Sequence, residues 1–290
     1  MHRTLPIALL LLVLALSPAT ASFAQTSDGS AAALQLEDDA AKKISEGNIL
    51  ADKGDAAGAI RAYKEAILLT PDNAKPYYYM GFLYAEQKNY TEAQAALEKS
   101  VMLLPSYAEA HAALGAVYMQ NKAYMQAYTE LSAAVALNPK LPNAHNNLGG
   151  YYLLSQNLTN AIAEFKEAAN LDPKFIDASI NLANAYVQNN QPDMAIEEAN
   201  RALALSPNHP DALYSLGNAN FLKSDYKKAS GYFKTILQAD STLDDVRYNL
   251  GLSYANQGLR NDALKEQKYL GTRAPELAAK LLEEINSRKK

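Results

Sequence analysis

Small and apolar side chains recur along this chain with a period of 34 residues. In the first half of each period a small residue is followed, in most periods, by an aromatic residue three positions later. The second half carries apolar residues at helical spacing around an alanine. Apolar positions spaced three and four residues apart predict amphipathic helices. Each period therefore predicts two helices that pack against each other, and the whole pattern predicts an array of such pairs.

Small residues mark the places where the two helices of each pair come close. The alanine of the second half occurs in every period, at Ala59, Ala93, Ala127, Ala161, Ala195, Ala229 and Ala263. The small residue of the first half is Gly47, Gly81, Gly115, Gly149, Ala183, Gly217 or Gly251. The position three residues later holds Leu50, Tyr84, Tyr118, Tyr152, Tyr186, Asn220 or Tyr254. A small side chain lets two backbones approach, and the neighbouring ring seals the contact.

Turn residues and prolines separate the predicted helices. Glycine, asparagine and aspartate tolerate unusual backbone dihedrals and cap helices, so they predict the turn within each pair. Such turns are Gly54-Asp55, Lys88-Asn89-Tyr90 and Ser224-Asp225. A proline closes most periods, because it lacks the amide donor that a continuing helix needs. It stands at Pro71, Pro105, Pro139, Pro173, Pro207 and Pro275, with Ser241 in the remaining place.

This combination of small residue, tyrosine, alanine and proline on a 34-residue period resembles the tetratricopeptide repeat. The resemblance covers about seven units from Ala40 to Leu277 and implies an all-α fold, a right-handed α-solenoid of helix-turn-helix units. The units would span residues 40–73, 74–107, 108–141, 142–175, 176–209, 210–243 and 244–277. Departures near the ends leave the number of units open by one, and they are Lys43, Glu46, Asn220, Ser241 and Gln267.

The two ends of the chain differ from the repeats. Residues 1–24 have a basic start, an apolar run and small residues, which predict a secretory signal cut after Ala21 or Ala24. An uncleaved anchor is the alternative, although the apolar run is short for a membrane span. Residues 25–39 are expected to be a linker and the approach to the first helix, and Pro275 to Ser287 a capping helix. Residues 278–290 then hold the remainder of that helix and a basic tail. These features predict an exported protein, periplasmic or secreted, with no membrane span after cleavage.

Composition narrows the classes of partner. The chain has a formal net charge of −4, which argues against a nucleic-acid partner because such proteins usually carry a basic stripe. The absence of cysteine excludes disulfides and cysteine-linked lipids. The repeats occupy nearly the whole length, so no room is left for a separate catalytic domain, and no nucleotide-binding or hydrolase motif occurs. We therefore expect no enzymatic activity, no cofactor and no small-molecule substrate.

Two histidines occupy equivalent places in neighbouring repeats. His111 and His145 each lie four residues before the small position, so stacking brings them near each other. A metal site would need at least a third ligand of suitable geometry. The favoured interpretation is that each histidine fills the half-buried aromatic position that Tyr77 fills in the second repeat, and no metal site is expected.

Asparagines line up on the helix face that lines the concave groove of the family that this chain resembles. They occur two residues before the small position and directly after it, and they are Asn147, Asn181, Asn184, Asn218 and Asn249, with Asn146 beside them. An amide side chain both donates and accepts hydrogen bonds, so a ladder of amides can hold the backbone of an extended peptide. Some relatives in the family use such a ladder. The alternative is that these asparagines form only a solvated helix face.

Aromatic residues add apolar surface to the same face. Tyr78, Tyr79 and Phe82 are expected to form a pocket for a partner side chain, joined further along by Tyr214 and Tyr248. Packing against the neighbouring repeat is the competing interpretation. Another binding mode of the family grips a terminal carboxylate with cations at inner positions. No cation occurs at the positions that correspond here, Ile44, Tyr78, Ala112, Asn146, Ile180, Tyr214 and Tyr248, which argues against that mode.

The sequence thus favours a non-catalytic adaptor that binds an extended peptide segment of a protein partner in a concave groove. It would act in the assembly of envelope or secreted complexes. A structural or oligomerising subunit that docks through its convex face or stack ends, including a homo-oligomer, is the alternative. An enzyme or metal carrier built on His111 and His145 is the least supported class.

Overall fold

A computed structural model describes residues 25–288, and within them the chain forms fifteen α-helices and no strand. The helices are α1 Gln25–Asp52, α2 Ala56–Leu69, α3 Ala74–Glu86, α4 Tyr90–Leu103, α5 Ala108–Gln120, α6 Tyr124–Leu137, α7 Pro142–Leu154, α8 Leu158–Leu171, α9 Ile176–Gln188, α10 Pro192–Leu205, α11 Pro210–Leu222, α12 Tyr226–Ala239, α13 Asp244–Asn256, α14 Arg260–Gly271 and α15 Pro275–Ser287. The predicted leader over residues 1–24 lies outside the described residues, as do the last two residues of the basic tail. No helix between residues 25 and 288 is both long and apolar enough to cross a membrane.

Consecutive helices pack as seven pairs, and α15 covers the last pair by contacting both α13 and α14. The first helices of neighbouring pairs also contact each other, α3 with α5, α5 with α7, α7 with α9 and α9 with α11. Because the first helices lie closest together, they form the inner side of an all-α solenoid. We call the surface formed by α3, α5, α7, α9, α11 and α13 the concave groove, and the surface formed by the second helices of the pairs the outer surface.

Each helix pair closes where the sequence predicts it, at the small residues. The seven alanines of the second helices all have 0% of their surface exposed. Opposite them, a Cβ atom at Gly149 would lie 2.7 Å from the ring carbon Cδ1 of Phe165, and one at Gly217 would lie 2.5 Å from Cε1 of Phe233. Those distances are too short for a side chain, so glycine allows the large ring of the second helix to reach the first helix.

The turn within each pair has one residue in the left-handed conformation. The series is Gly54, Lys88, Lys122, Gln156, Asn190, Ser224 and Gly258, all with positive φ. In the fourth pair the amide of Asn157 donates to the carbonyl of Tyr152 at 2.8 Å, and the amide of Gln156 to that of Leu153 at 3.1 Å. This hydrogen-bond pattern ends a helix with a left-handed residue, for which glycine is the least strained choice.

Gln156→Gly is expected to raise the free energy of unfolding by about 0.5–1 kcal/mol, because it removes the strain of a left-handed non-glycine residue with φ 60°. Gln126→Gly is the matched control. Gln126 is exposed within α6, where glycine is expected to cost about 0.5–1 kcal/mol. Urea denaturation of both variants measures the two changes. Equal effects of the two substitutions would contradict the role assigned to the turn.

The first helix begins before the first repeat. Residues 25–39 are expected to be a linker and the approach to the first helix, and α1 runs without a break from Gln25 to Asp52. The reason is local, because alanine, leucine, glutamine and glutamate in this segment are strong helix formers. Residues 31–38 of the extension are exposed to solvent, so the extension contributes little to the core.

Candidate peptide-binding groove

A cavity of about 470 Å³ opens on the concave groove between α3, α5, α7 and α9. Its floor is set by α5 through Ala112, Ala113 and Ala116. The positions of Ala112 and Ala113 hold larger residues in both neighbouring repeats, and the position of Ala116 holds Phe82 in the preceding one. Tyr78 and Phe82 of α3 border the cavity on one side. The depression therefore lies where α5 presents three small side chains beside the larger residues of α3.

Aromatic residues form the α3 side of the cavity. The ring of Tyr78 lies 5.0 Å from that of Tyr107 and 6.5 Å from that of Phe82, measured between centroids. Burial raises the pKa of the Tyr78 phenol, so this group stays neutral at physiological pH. Phe82 remains 46% exposed, which leaves apolar surface facing the cavity.

The other three predicted aromatic residues lie elsewhere. Tyr79 stacks on Tyr63 of α2, with centroids 5.5 Å apart and planes inclined by 23°, so it packs towards the first repeat. Tyr214 lies 5.9 Å from Phe233, and Tyr248 packs against the C-terminal core. These three residues do not line the cavity that Tyr78 and Phe82 border. Their contacts are those that the packing interpretation describes.

The asparagines form a hydrogen-bonded ladder that links neighbouring first helices. Nδ2 of Asn181 donates to Oδ1 of Asn146 at 2.9 Å, which joins α9 to α7. Asn184 accepts a bond of 2.6 Å from the Ser215 hydroxyl, which joins α11 to α9. The next link extends the ladder to α13. There Nδ2 of Asn249 lies 3.0 Å from the Tyr214 hydroxyl and 3.4 Å from Oδ1 of Asn218. Part of the ladder's hydrogen-bonding capacity therefore stabilises the stack.

Asn147 differs from the rest of the ladder. It lines the cavity beside Asn146, and its side chain makes no hydrogen bond to any residue in the part of the chain that the structure describes. An amide group can donate two hydrogen bonds and accept two more. The hydrogen-bonding capacity of the Asn147 side chain is therefore unused within the described residues, whereas Asn146 and Asn181 share a hydrogen bond with each other.

Several cavity residues are absent from the sequence-based site. They include the three alanines of the floor and the carboxylates of Glu86, Glu109 and Asp177. The alanines interrupt the asparagine series, and this interruption is the feature of the sequence that could have indicated the cavity. The carboxylates share no motif with the asparagines, and only the packing of four helices brings them to one cavity.

Family models match most of the repeat array. One described as a TPR repeat matches residues 47–88, and models described as tetratricopeptide repeat match residues 84–148, 142–175 and 180–244. The chain belongs to the tetratricopeptide repeat (TPR) family. Proteins of this family are generally non-catalytic scaffolds for other proteins, and the family assignment supports a protein-interaction role for this TPR chain.

Solved structures share the fold at low sequence identity. PilF of Pseudomonas aeruginosa superposes with a TM-score of 0.64 and 22% identity, over 73% of this chain and 97% of PilF. PilW, described as a widely conserved type IV pilus biogenesis factor, gives 0.65 and 21%, over 72% and 98%. YrrB, described as a TPR protein with an unusual peptide-binding site, gives 0.50 and 20%, over 62% and 93%. No curated protein sequence matches the chain.

The two histidines of this TPR chain join the helices within their repeats. Nδ1 of His145 lies 2.7 Å from Oε2 of Glu164, and Nε2 lies 2.9 Å from the carbonyl oxygen of Pro139. His111 has the same arrangement in the preceding repeat, at 2.6 Å from a glutamate and 3.0 Å from a proline carbonyl. In the last repeat Arg247 takes this place and bonds Glu266 and the carbonyl of Ser241. Both ring nitrogens of each histidine thus face acceptor oxygens, and a protonated imidazole at His145 can donate to both of its acceptors.

This arrangement gives the histidines a packing role in two separate repeats. Each ring is buried and bonded to a glutamate of its own repeat. Within residues 25–288 no group of three or more histidine, aspartate or glutamate side chains is placed to hold a metal ion. The sequence analysis places each histidine in a half-buried position that an aromatic residue fills in another repeat, and both rings are buried. It did not include their glutamate partners.

Stability is expected to fall at alkaline pH through His145. The hydrogen bond to Glu164 raises the pKa of His145 above its ordinary value. A raised pKa stabilises the fold fully below the unfolded pKa of about 6.5, and this contribution is lost as pH rises through the folded pKa. His145→Arg keeps a charge at all these pH values and copies Arg247. Melting temperatures from pH 6 to 9 should fall more for the wild type than for this variant. Parallel curves would contradict the protonated state.

Proposed function

We propose that this TPR protein is a non-catalytic adaptor that binds an extended segment of a partner protein in its concave groove. The observation that carries the proposal is the cavity between α3, α5, α7 and α9. The cavity is lined both by the exposed aromatic surface of Phe82 and by the amide of Asn147, which makes no hydrogen bond within the described residues. An apolar surface gives affinity for one side chain, and the amide holds the backbone next to it.

We further propose that the partner is an envelope or secreted protein during assembly, and that the adaptor is periplasmic or secreted. The predicted leader over residues 1–24 supports export. The fold is shared with PilW, a pilus biogenesis factor, and with YrrB, whose peptide-binding site supports a peptide ligand for a solenoid of this kind.

Asn147→Ala tests the groove with little structural disturbance, because its side chain has no hydrogen bond within the described residues. One lost hydrogen bond of about 0.5–1.5 kcal/mol should weaken a partner's affinity by roughly 2- to 12-fold. Asn170→Ala is the matched control, since Asn170 is exposed on α8 of the outer surface. Partners captured by cross-linking from the exported fraction of the host are identified by mass spectrometry and their affinities measured. Equal affinities for wild type and both variants would contradict binding in the groove.

Replacing Asn147, Asn181 and Asn184 together by alanine should weaken binding further, but it also removes two bonds between helices. These are Asn181 to Asn146 and Ser215 to Asn184. The melting temperature of the triple variant therefore has to be measured beside its affinity. A loss of binding without a large loss of stability supports contact between the ladder and the partner segment.

A structural or oligomerising subunit is the second candidate function, and two residues of the outer surface favour it. Leu68 of α2 is 81% exposed, and Met102 at the equivalent place of α4 is 62% exposed. Adjacent exposed apolar side chains are typical of contact surfaces. Light scattering on wild type and on Leu68→Ser with Met102→Ser tests this function. An oligomer that dissociates in the double variant supports it, and a monomer in both cases contradicts self-association through this surface.

A further inference from the structure

We propose that the partner segment carries an apolar side chain flanked by lysine or arginine. This inference rests on the proposed function, because it assigns the chemistry of the segment that the groove would bind. It depends on two features of the same cavity, the apolar floor and the acidic edge.

The floor selects an apolar side chain. Ala112 and Ala116 form the floor of the cavity, and Tyr78 and Phe82 border it. None of these four side chains carries a charge. Tyr78 packs against Tyr107 and is held in place, whereas Phe82 keeps almost half of its surface exposed. An aliphatic or aromatic side chain of the partner would cover Phe82. Both apolar groups would then be removed from water, which favours binding.

The edge selects positive charge. Glu86, Glu109 and Asp177 line the cavity, and no lysine, arginine or histidine does so among the described residues. Glu109 and Asp177 are each the second residue of a first helix. The same position holds Asp211 in α11 and Asp245 in α13, whereas in α7 it holds the uncharged Asn143, so the acidic row consists of residues on α5, α9, α11 and α13.

The carboxylates of this row are available to a partner. None of the four, from Glu109 to Asp245, forms an ion pair with any residue between 25 and 288, although this part of the chain contains ten close ion pairs of lysine or arginine with other carboxylates. Acidic side chains in the first turn of a helix also favour the helix dipole, and this role leaves their outer oxygens free. Lys75 is the one cation at the equivalent position, on α3, and it does not line the cavity.

Charge complementarity of this kind predicts both specificity and salt dependence. A segment with basic residues gains attraction along the row, and an acidic segment is repelled by the same groups. Screening shortens the range of exposed charges to about 10 Å at 0.1 M salt. Affinity should therefore fall when salt is raised, whereas the apolar contact at Phe82 should persist.

The test is a selection of peptides from a random twelve-residue display library on the full-length protein. The expected enrichment is for lysine or arginine within three residues of an aliphatic or aromatic residue. The strongest peptide is then synthesised with a fluorophore, and its affinity is measured by anisotropy at 50 and 300 mM sodium chloride. We expect at least a tenfold loss of affinity for Phe82→Ala and for the double variant Glu109→Gln with Asp177→Asn.

The matched control is Glu92→Gln with Glu276→Gln, which also removes two exposed carboxylates from first turns, in α4 and α15. It should leave the affinity within twofold of wild type. Selected peptides that lack basic residues, but whose binding depends on Phe82 or Asn147, would overturn this inference and leave the groove as the binding site. Peptides that bind all variants equally, or no enrichment at all, would overturn the proposed groove together with the inference.

Discussion

Replacing Phe165 by alanine is expected to lower the free energy of unfolding by about 3–5 kcal/mol. The Phe165 ring is 1% exposed and packs in a cluster with Ala161, Leu182 and Tyr186. It also fills the space that Gly149 leaves open in the facing helix. The truncation therefore removes apolar contacts with both α7 and α9 and leaves a cavity that the surrounding helices cannot close.

The position of Phe165 in the fourth of seven pairs predicts how the array responds. In a solenoid each repeat is stabilised mainly by its neighbours. Weakening the central repeat therefore reduces the coupling between the two halves, so that they unfold separately. Urea denaturation should change from one transition to two, with the midpoint of the first transition lowered.

Lys166→Ala is the control for Phe165→Ala, because Lys166 is exposed in the same helix and should change stability by less than about 0.5 kcal/mol. A Phe165→Ala variant that unfolds at the wild-type midpoint in a single transition would contradict the central packing position of this ring.

Ala161→Leu is the second large effect, an expected loss of about 1–3 kcal/mol by overpacking. Ala161 is fully buried in α8, in the series of alanines where the two helices of each pair meet. A leucine there has to displace the facing helix or adopt a strained rotamer. Thermal melting followed by circular dichroism measures the loss, with the variant and the wild type at the same protein concentration.

Ala163→Leu provides the matched comparison for Ala161→Leu, because Ala163 lies two residues further along α8 and is exposed. The same change of side chain should have little effect at this position. If both leucines were tolerated equally, the helix contact would lie elsewhere and the register of the repeat would be wrong.

The fold follows from the sequence because its determinants are local and repeated. A position that must be small, such as Ala161, is visible in the sequence when it recurs in every period. The left-handed position of each turn can be predicted from the sequence in only some of the repeats. Gly54 and Gly258 reveal the left-handed position, but Lys122 and Gln156 hold it without a favourable residue type. There the hydrogen bonds of the helix end and the packing of both helices impose the conformation.

The groove is less visible because it depends on the offset between repeats. Equivalent residues are 34 apart, yet the bonds of the ladder join residues 35 and 31 apart, such as Asn181 with Asn146 and Ser215 with Asn184. The bonded residues are therefore not equivalent in the repeat, and the packing of neighbouring first helices decides which amides meet. A one-dimensional pattern places the asparagines on one face but leaves open whether they bond each other or a ligand.

The aromatic residues show the same limit. Tyr78 and Tyr79 are adjacent in sequence, but one borders the cavity and the other stacks on Tyr63. Their helix turns successive side chains by about 100°, so neighbours face different repeats. The cavity arises because the side chains of α5 are small. Alanines carry no distinctive chemical group, so the sequence does not mark them as site residues.

Site-specific photo-cross-linking tests the central claim, binding of a partner segment in the concave groove, most directly. A photoreactive phenylalanine analogue replaces Phe82 in the groove or, as the control, Tyr124, which is exposed on α6 of the outer surface. The proteins are irradiated in the native host and the cross-linked peptides are sequenced by mass spectrometry. The proposed function predicts cross-links from position 82 to one continuous segment of a partner and none from position 124. Cross-links to partners from position 124 alone would contradict it and place the interaction on the outer surface.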